Sequence, residues 1–522
     1  MIVAGNPSIH AAPVPALGGA SPRRFSWLAA AALALLVSGI PAIWPGDGVW
    51  LWDEPMEFAV ALKANQEHRL AHCGLSGSFP VPFGALGIHL YQLWLVFTHN
   101  PKTLVVLHAL TCTVPTAIAL LWMARTLRLN PWFAVAILIG PHIWFEARRL
   151  WQPTFCVPLG CMAIAAHASF VRGGSGRSLL LAIACAIAPL FIHLQAIPLS
   201  AAVLGHLVLR HRAALWRHHL GIAAIVVCFA TLQGPYVVGA CALILWQCVS
   251  FIRTGHNSNT PLAEAWRGPF LSGRIFSGWD GAGADGTRET ILRVLASGAM
   301  ALVWMGIALA VGTWIARWRR TADIETPADG QKMSLDGVRG TMLSVCAAGV
   351  GIHLAMCVTA RLSTVHHYFF GTFGMYVLLA WFALDALPRW WLQAGIIAVQ
   401  GLASAALTGG WMLRTHIDGW MPGFSPSIGE QVALVRQLDR YSDEAAYTEV
   451  ASYMERPNRP NVLRCLRKLM GSASPPAGRV YSGRLFIRFR RNADGKPTNR
   501  IELVETETAP PGAERTSLVP EP

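Results

Sequence analysis

The stretch on which the fold turns is residues 83–97, FGALGIHLYQLWLVF. It is apolar, but a helix needs about 20 such residues to cross the hydrocarbon core of a bilayer. Whether this piece spans the membrane or lies along it decides the side on which every later loop falls. Further apolar runs, most of them longer, surround it, at residues 25–44, 103–124, 131–146, 154–171, 178–193, 195–209, 219–238, 291–316, 340–359, 369–387 and 391–412. The composition agrees with them. Of 522 residues 53% are hydrophobic and only 13% charged, where a soluble chain carries about 25% charge; mean hydropathy is +0.42. With 21 Trp and 21 Phe set in long apolar runs, disorder, collagen and a disulfide scaffold are excluded for most of the chain. The expected fold class is an all-α polytopic membrane protein of about eleven transmembrane helices.

Charge sets the orientation. Lys and Arg accumulate in short cytoplasmic loops. Arg125 with Arg128, Arg172 with Arg177, and Arg210, Arg212 and Arg217 mark three alternate loops; Arg317, Arg319 and Arg320 begin a fourth, and Arg389 lies in a fifth. With all five inside, the N-terminus is cytoplasmic only if residues 83–97 do not span. They are therefore expected to form a helix lying in the outer interface, with Tyr91 and Trp94 at the headgroup level. Residues 47–102 become one outer loop and 239–290 a second, the start of which (239–251) is apolar enough to dip into the bilayer. The first span lacks a small-residue cleavage site and reads as a retained anchor.

Three regions follow: a transmembrane domain over 1–412, an outer soluble region over 413–491, and a tail over 492–522 expected to be disordered from its Pro, Glu and Thr content. Within the soluble region a helical pattern covers 428–441, another 461–470, and residues 479–490 alternate apolar and basic side chains as a strand does. The charge of +14 calls for no nucleic acid, since arginines flanking the spans supply much of it; its outward part suits an anionic lipid. The 11 cysteines fall mostly inside spans without a CxxC pair, so neither a metal knuckle nor a disulfide framework is indicated.

Chemistry-bearing residues gather at span mouths. In GVWLWDEPMEFAVALKANQ (48–66), Asp53, Glu54 and Pro55 suit the start of a helix. A carboxylate held between an apolar span and an interfacial helix is also partly desolvated, which fits it to take a hydroxyl proton. In GPHIWFEARRLWQPTF (140–155), Arg148 and Arg149 stand on the face that the charge rule disfavours. Either Glu146 and lipid headgroups balance them, or they bind an anion such as phosphate. In ARLSTVHHYFFGTFGMYVLLAW (360–381), Arg361, His366, His367 and Tyr368 stand at another outer mouth. His193 and Gln195 occupy a fourth, where a packing role is equally open. Inside the spans the polar ionisable residues are mainly His108, His167 and His353, which is not the content of an ion pathway.

This arrangement resembles the GT-C membrane glycosyltransferases, in particular bacterial relatives of the protein O-mannosyltransferases and the lipid A aminoarabinose transferases. WDEP (52–55), FPVPFGALGIHLYQLWLVF (79–97), EARRLWQPTF (146–155) and HHYFFGTFGMYVLL (366–379) carry the likeness, and HIDGWMPGFSPSIGEQVALVRQLDRY (416–441) is similar to the start of the outer domain in some members. The resemblance implies a GT-C-like bundle with outer interfacial helices and a small outer C-terminal domain in an inner membrane. It implies a polyprenyl-phosphate-linked sugar as donor and an envelope glycan, lipid or protein as acceptor. Asp53 would be the catalytic base and Glu54 a supporting or metal-contacting residue. Arg148, Arg149, Arg361, His366, His367 and Lys102 would face the donor phosphate, Lys102 standing where many relatives carry an arginine. Phe79-Pro80-Val81-Pro82 departs from the family's His-Pro-Pro or Lys-Pro. No cofactor is demanded, and a divalent metal ion remains open. The rivals are a transporter or flippase for a lipid-linked glycan, without covalent chemistry, and an envelope scaffold in which Asp53 only caps a helix.

Overall fold

A computed structural model of the protein describes residues 24–50, 53–75, 82–254, 276, 287–319, 333–359, 369–418, 426–438, 462–471, 484–491 and 497–506. Over these the chain is a bundle of apolar helices. In order they are α1 (Arg24–Ser38), α2 (Asp53–Gln66), α3 (Leu86–Phe97), α4 (Pro101–Leu127), α5 (Trp132–Leu138), α6 (Pro141–Ala147), α7 (Cys156–Gly173), α8 (Gly176–Ile187) and α9 (Ile197–Arg210). There follow α10 (Arg212–Arg217), α11 (His219–Thr254), α12 (Thr287–Ser297), α13 (Ala299–Arg319), α14 (Leu335–Thr359), α15 (Phe373–Asp385) and α16 (Trp390–Asp418). The C-terminal region adds α17 (Ile428–Leu438), α18 (Val462–Leu469) and strands β1 (Arg484–Arg491) and β2 (Pro497–Thr506). Among the described residues 5 helices are long and apolar enough to cross a membrane, and shorter apolar helices pack between them. The protein is a multi-pass α-helical membrane protein.

Helix α3 has 12 residues, about 18 Å of rise, too short to span. Leu93, Val96 and Phe97 are its exposed apolar residues, while Ile88, Tyr91 and Trp94 are buried. Tyr91 and Trp94, expected at the headgroup level, are enclosed by protein. Both pack inward with Phe155, and Tyr91 stacks on Phe58 of α2 at 4.4 Å between ring centres.

Two expected spans differ in form. Residues 131–146 are not one helix but α5 and α6, interrupted at Gly140–Pro141, because proline cannot donate the hydrogen bond that would continue the helix. Ile139's carbonyl, freed there, accepts the Thr408 hydroxyl of α16 at 2.7 Å. A broken helix is tolerated at membrane depth where protein encloses it, and α5 and α6 are buried almost throughout. Helix α11 runs for 36 residues, about 54 Å. The stretch from 239 to 251, expected to begin an outer loop and apolar enough to dip into the bilayer, continues the helix.

One correction falls in the C-terminal region, where the strand expected at 479–490 finds a partner. Strands β1 and β2 pair antiparallel from Arg484↔Thr506 to Arg491↔Pro497, with an irregularity after Phe489. The chain is therefore helical with one two-stranded sheet, and part of the tail expected to be disordered is a strand. Helix α17 docks on the segment before α2: the Ile428 amide donates to the Gly48 carbonyl at 2.9 Å, and Gln431 Nε2 to the Trp50 carbonyl at 2.7 Å and the Pro426 carbonyl at 2.8 Å. Helix α18 packs on α2 itself, where the Cys465 thiol meets the Pro55 carbonyl at 2.9 Å.

Helices α13 and α15 approach closely at a glycine. A Cβ on Gly306 would lie 2.4 Å from the Leu379 carbonyl oxygen, whereas one on Gly312 would meet nothing within 4 Å. Gly306→Ala is expected to lower stability by about 1–3 kcal/mol through overpacking and Gly312→Ala to leave it unchanged, as read by thermal unfolding in detergent. Topology reporters inserted at Gly84 and at Lys102 should report the same side of the membrane, because α3 between them does not cross.

Candidate active site

Asp53 opens α2, with Glu54 beside it and Pro55 in the first turn. Acidic residues favour the positive end of a helix and proline suits a first turn, whose N–H has no helical partner. The opening of α2 faces the segment that leaves α6. There the helix ends at Ala147, Arg148 is its C-cap, and a 3-10 turn over Gln152–Phe155 begins α7.

Arg149 reaches Glu54 with both Nε and Nη2, each 3.0 Å from Oε1. Its Nη1 lies 3.7 Å from Glu146, and its guanidinium stacks 4.1 Å above the Trp151 ring. Arg149 is 3% exposed and Glu54 0%. Burial works against the Arg149 charge, but Glu54, Glu146 and Asp53 outweigh it and hold its proton more tightly than usual. Arg148 points the other way. Its Nη2 donates to the Trp44 carbonyl at 2.7 Å and lies 3.8 Å from Asp47 Oδ2. Arg148 is equally buried, and its Nε and Nη1 make no hydrogen bond to the protein. Asp47 also meets His416 Nδ1 at 3.2 Å, and the His416 ring stacks on Trp44 at 4.0 Å. Helix α16 thus ends on the same corner.

One turn after Asp53, Glu57 is 1% exposed. Its Oε2 accepts the Gln152 amide at 2.7 Å. Burial pushes the Glu57 pKa well above the usual carboxylate range; the Gln152 amide and Arg149 oppose that rise, and the charges of Asp53 and Glu54 reinforce it. The Gln152 carboxamide is fully enclosed without a hydrogen-bond partner.

The structure therefore brings together Asp53, Glu54, Arg148 and Arg149 at one end of the bundle. Lys102 is exposed beside them: a Cβ on Gly46 would lie 3.4 Å from its Cε. Arg361, His366 and His367 lie outside the described residues. Among the described residues no group of three or more His, Cys, Asp or Glu is arranged to hold a metal ion. His193 has a local role, its Nδ1 accepting the Gln195 amide at 3.3 Å and its ring packing on Phe83. Sequence reasoning missed Glu57, although its spacing from Asp53 places both on one helix face. It also missed Asp47 and Gln152, which carry no pattern of their own.

No family model matches the chain, and no curated protein does. Among solved structures it is similar to ArnT from Cupriavidus metallidurans bound to undecaprenyl phosphate, at 13% identity over 85% of this chain and 74% of that one, with a TM-score of 0.40. The apo state of the same protein gives 13% identity, 86% and 74% coverage, and a TM-score of 0.42. The apo oligosaccharyltransferase of Archaeoglobus fulgidus gives 15% identity and a TM-score of 0.46; it covers 84% of this chain, which spans 61% of the archaeal one. At such identities and scores the likeness is one of helix layout, and the functional reading stands on the residues above.

Removing one partner of a buried pair leaves an uncompensated charge. Arg149→Ala is expected to cost about 3–5 kcal/mol, read as a lower unfolding temperature in detergent. The double variant Glu54→Gln with Arg149→Met should recover part of the loss.

Proposed function

We propose that the protein is an inverting glycosyltransferase that moves a sugar from a polyprenyl-phosphate donor to an envelope glycan, lipid or protein on the outer side of an inner membrane. The observation that carries this reading is the meeting of the α2 acids with a buried arginine pair, of which Arg148 keeps two N–H donors without a protein partner. Forked guanidinium donors match phosphate geometry.

Asp53 acts as the base, with Glu54 holding Arg149 in place beside it. The acceptor hydroxyl loses its proton to Asp53 while its oxygen bonds to the anomeric carbon. The bond from that carbon to the phosphate oxygen breaks on the opposite face, so the configuration inverts. Polyprenyl phosphate leaves as a stable anion and needs no proton from an acid. Arg148 donates Nε–H and Nη1–H to the charge that develops on it, the kind of preorganised stabilisation that favours a transition state over a ground state. Lys102 at the rim and Arg361, His366 and His367 complete the phosphate site in this reading.

Sugar transfer from a lipid-linked donor in reconstituted vesicles tests it. Asp53→Asn should lower the rate by at least about 100-fold, the contribution of a general base, without loss of folded protein. Full transfer by that variant, or movement of the lipid-linked donor across the membrane with no transfer by wild type, would remove the proposal.

A further inference from the structure

His108 is an ionisable side chain inside a helix of membrane-spanning length, where it is costly to place and calls for specific partners. It stands on α4 and is fully enclosed, with its ring centre 4.7 Å from that of Phe155. Its nitrogens are also committed, and the hydrogen bonds around them have a direction. The Trp151 carbonyl can only accept, and it takes the Thr154 hydroxyl proton at 2.7 Å. Thr154 therefore offers His108 a lone pair, 2.7 Å from Nε2, so Nε2 carries a hydrogen. An enclosed imidazole met by a hydroxyl and a phenol is neutral, so Nδ1 accepts from the Tyr91 hydroxyl, 3.4 Å away on α3. The Cys112 sulfur, 3.6 Å from Nε2 and 3.5 Å from the Thr154 hydroxyl, is too weak a partner to reverse this order.

We propose that His108 is a positioning residue: its Nε2–H holds Thr154, and through Thr154 the turn that presents Arg149 to Glu54. The inference rests on the glycosyltransferase reading for its purpose. Inside the turn, the Trp151 carbonyl accepts both the hydroxyl and, at 3.2 Å, the amide of Thr154, while the Trp151 amide donates to the Arg149 carbonyl at 2.7 Å. The Trp151 ring carries the Arg149 guanidinium 4.1 Å above it. These contacts shape the turn but do not place it in the bundle. Glu57 takes the Gln152 amide, yet it belongs to α2, the helix that has to be placed. His108 anchors the turn from α4, which is long and apolar enough to cross a membrane. Loss of that anchor lets Arg149 shift, and with it the first turn of α2 that carries Asp53. A misplacement of about 1 Å at a reacting group costs on the order of 100-fold in rate.

His108→Gln and His108→Phe separate this role from simple packing. Glutamine keeps an N–H toward Thr154, whereas phenylalanine keeps a ring against Phe155 and loses the N–H. In vesicles, and per folded protein, His108→Gln should keep kcat within about threefold of wild type. His108→Phe should lose about tenfold or more in kcat, with KM for the lipid-linked sugar within about threefold, because the displaced groups act in the transition state. The 15N spectrum of histidine-labelled protein at neutral pH should contain a neutral ring protonated at Nε2 that both variants lack. Stability gives a readout independent of activity. Thr154→Val should lower the unfolding temperature more in wild type than in the Glu54→Gln, Arg149→Met background, where no ion pair is left to place. His108→Phe at least as active as His108→Gln while both fold, a His108 proton on Nδ1, or equal losses from Thr154→Val in the two backgrounds would overturn the proposal. If wild type itself transfers no sugar, the glycosyltransferase reading fails, while the tautomer and the stability coupling still decide whether His108 positions Arg149.

Discussion

A guanidinium enclosed by protein must be matched by carboxylates, and Arg149 meets this requirement by binding two parts of the chain at once. Glu146 belongs to α6, the helix that leads into it, and Glu54 to α2, far away in sequence. The pair costs desolvation on both sides and survives because each charge has the other. Its consequence is geometric: the first turn of α2 cannot move without leaving a buried charge exposed to nothing.

The remaining contacts at this end of the bundle reinforce that placement from other directions. Glu57 ties the same helix to the Gln152 amide. Gln431 and Ile428 of α17 hold the chain just before Asp53 through the Trp50 and Gly48 carbonyls. Cys465 of α18 touches the first turn at Pro55. Arg148, Asp47 and His416 join the end of α16 to the turn over Pro45–Asp47. The C-terminal region is therefore part of the wall that positions Asp53. Such support suits chemistry in which one base and one phosphate must be held a fixed distance apart, since positioning contributes to rate only when the supporting shell is rigid.

Much of this was legible in the sequence, for physical reasons. Apolar runs and arginine placement identify spans because the bilayer imposes length and charge rules on every helix alike. The short reach of residues 83–97 followed from counting. Asp53, Glu54, Arg148 and Arg149 stood out because charge at span mouths is rare in a chain of 13% charged residues. Other features depend on tertiary partners and were hidden. Tyr91 and Trp94 turned inward because Phe58 and Phe155 offered ring contacts that no local pattern announces. The break at Gly140–Pro141 was readable from the proline but was masked by continuous hydropathy on both sides. The strand over residues 497–506 owes its form to pairing with β1, which overrode a composition typical of disorder. Glu57 passed unnoticed because a glutamate on a surface-like helix is ordinary until its burial is known.

What unites these observations is a division of charge. Arg149 is consumed in pairing with Glu54 and Glu146, burial raises the pKa of Glu57, and Arg148 retains two donors without a protein partner. The most direct measurement of that division is an experimental structure of the protein with undecaprenyl phosphate bound. The account predicts phosphate oxygens on Nε and Nη1 of Arg148, with the Asp53 carboxylate facing the same cavity and Arg149 still on Glu54. A phosphate bound elsewhere on the bundle, or one that draws Arg149 away from Glu54 while Arg148 makes no contact, would contradict it.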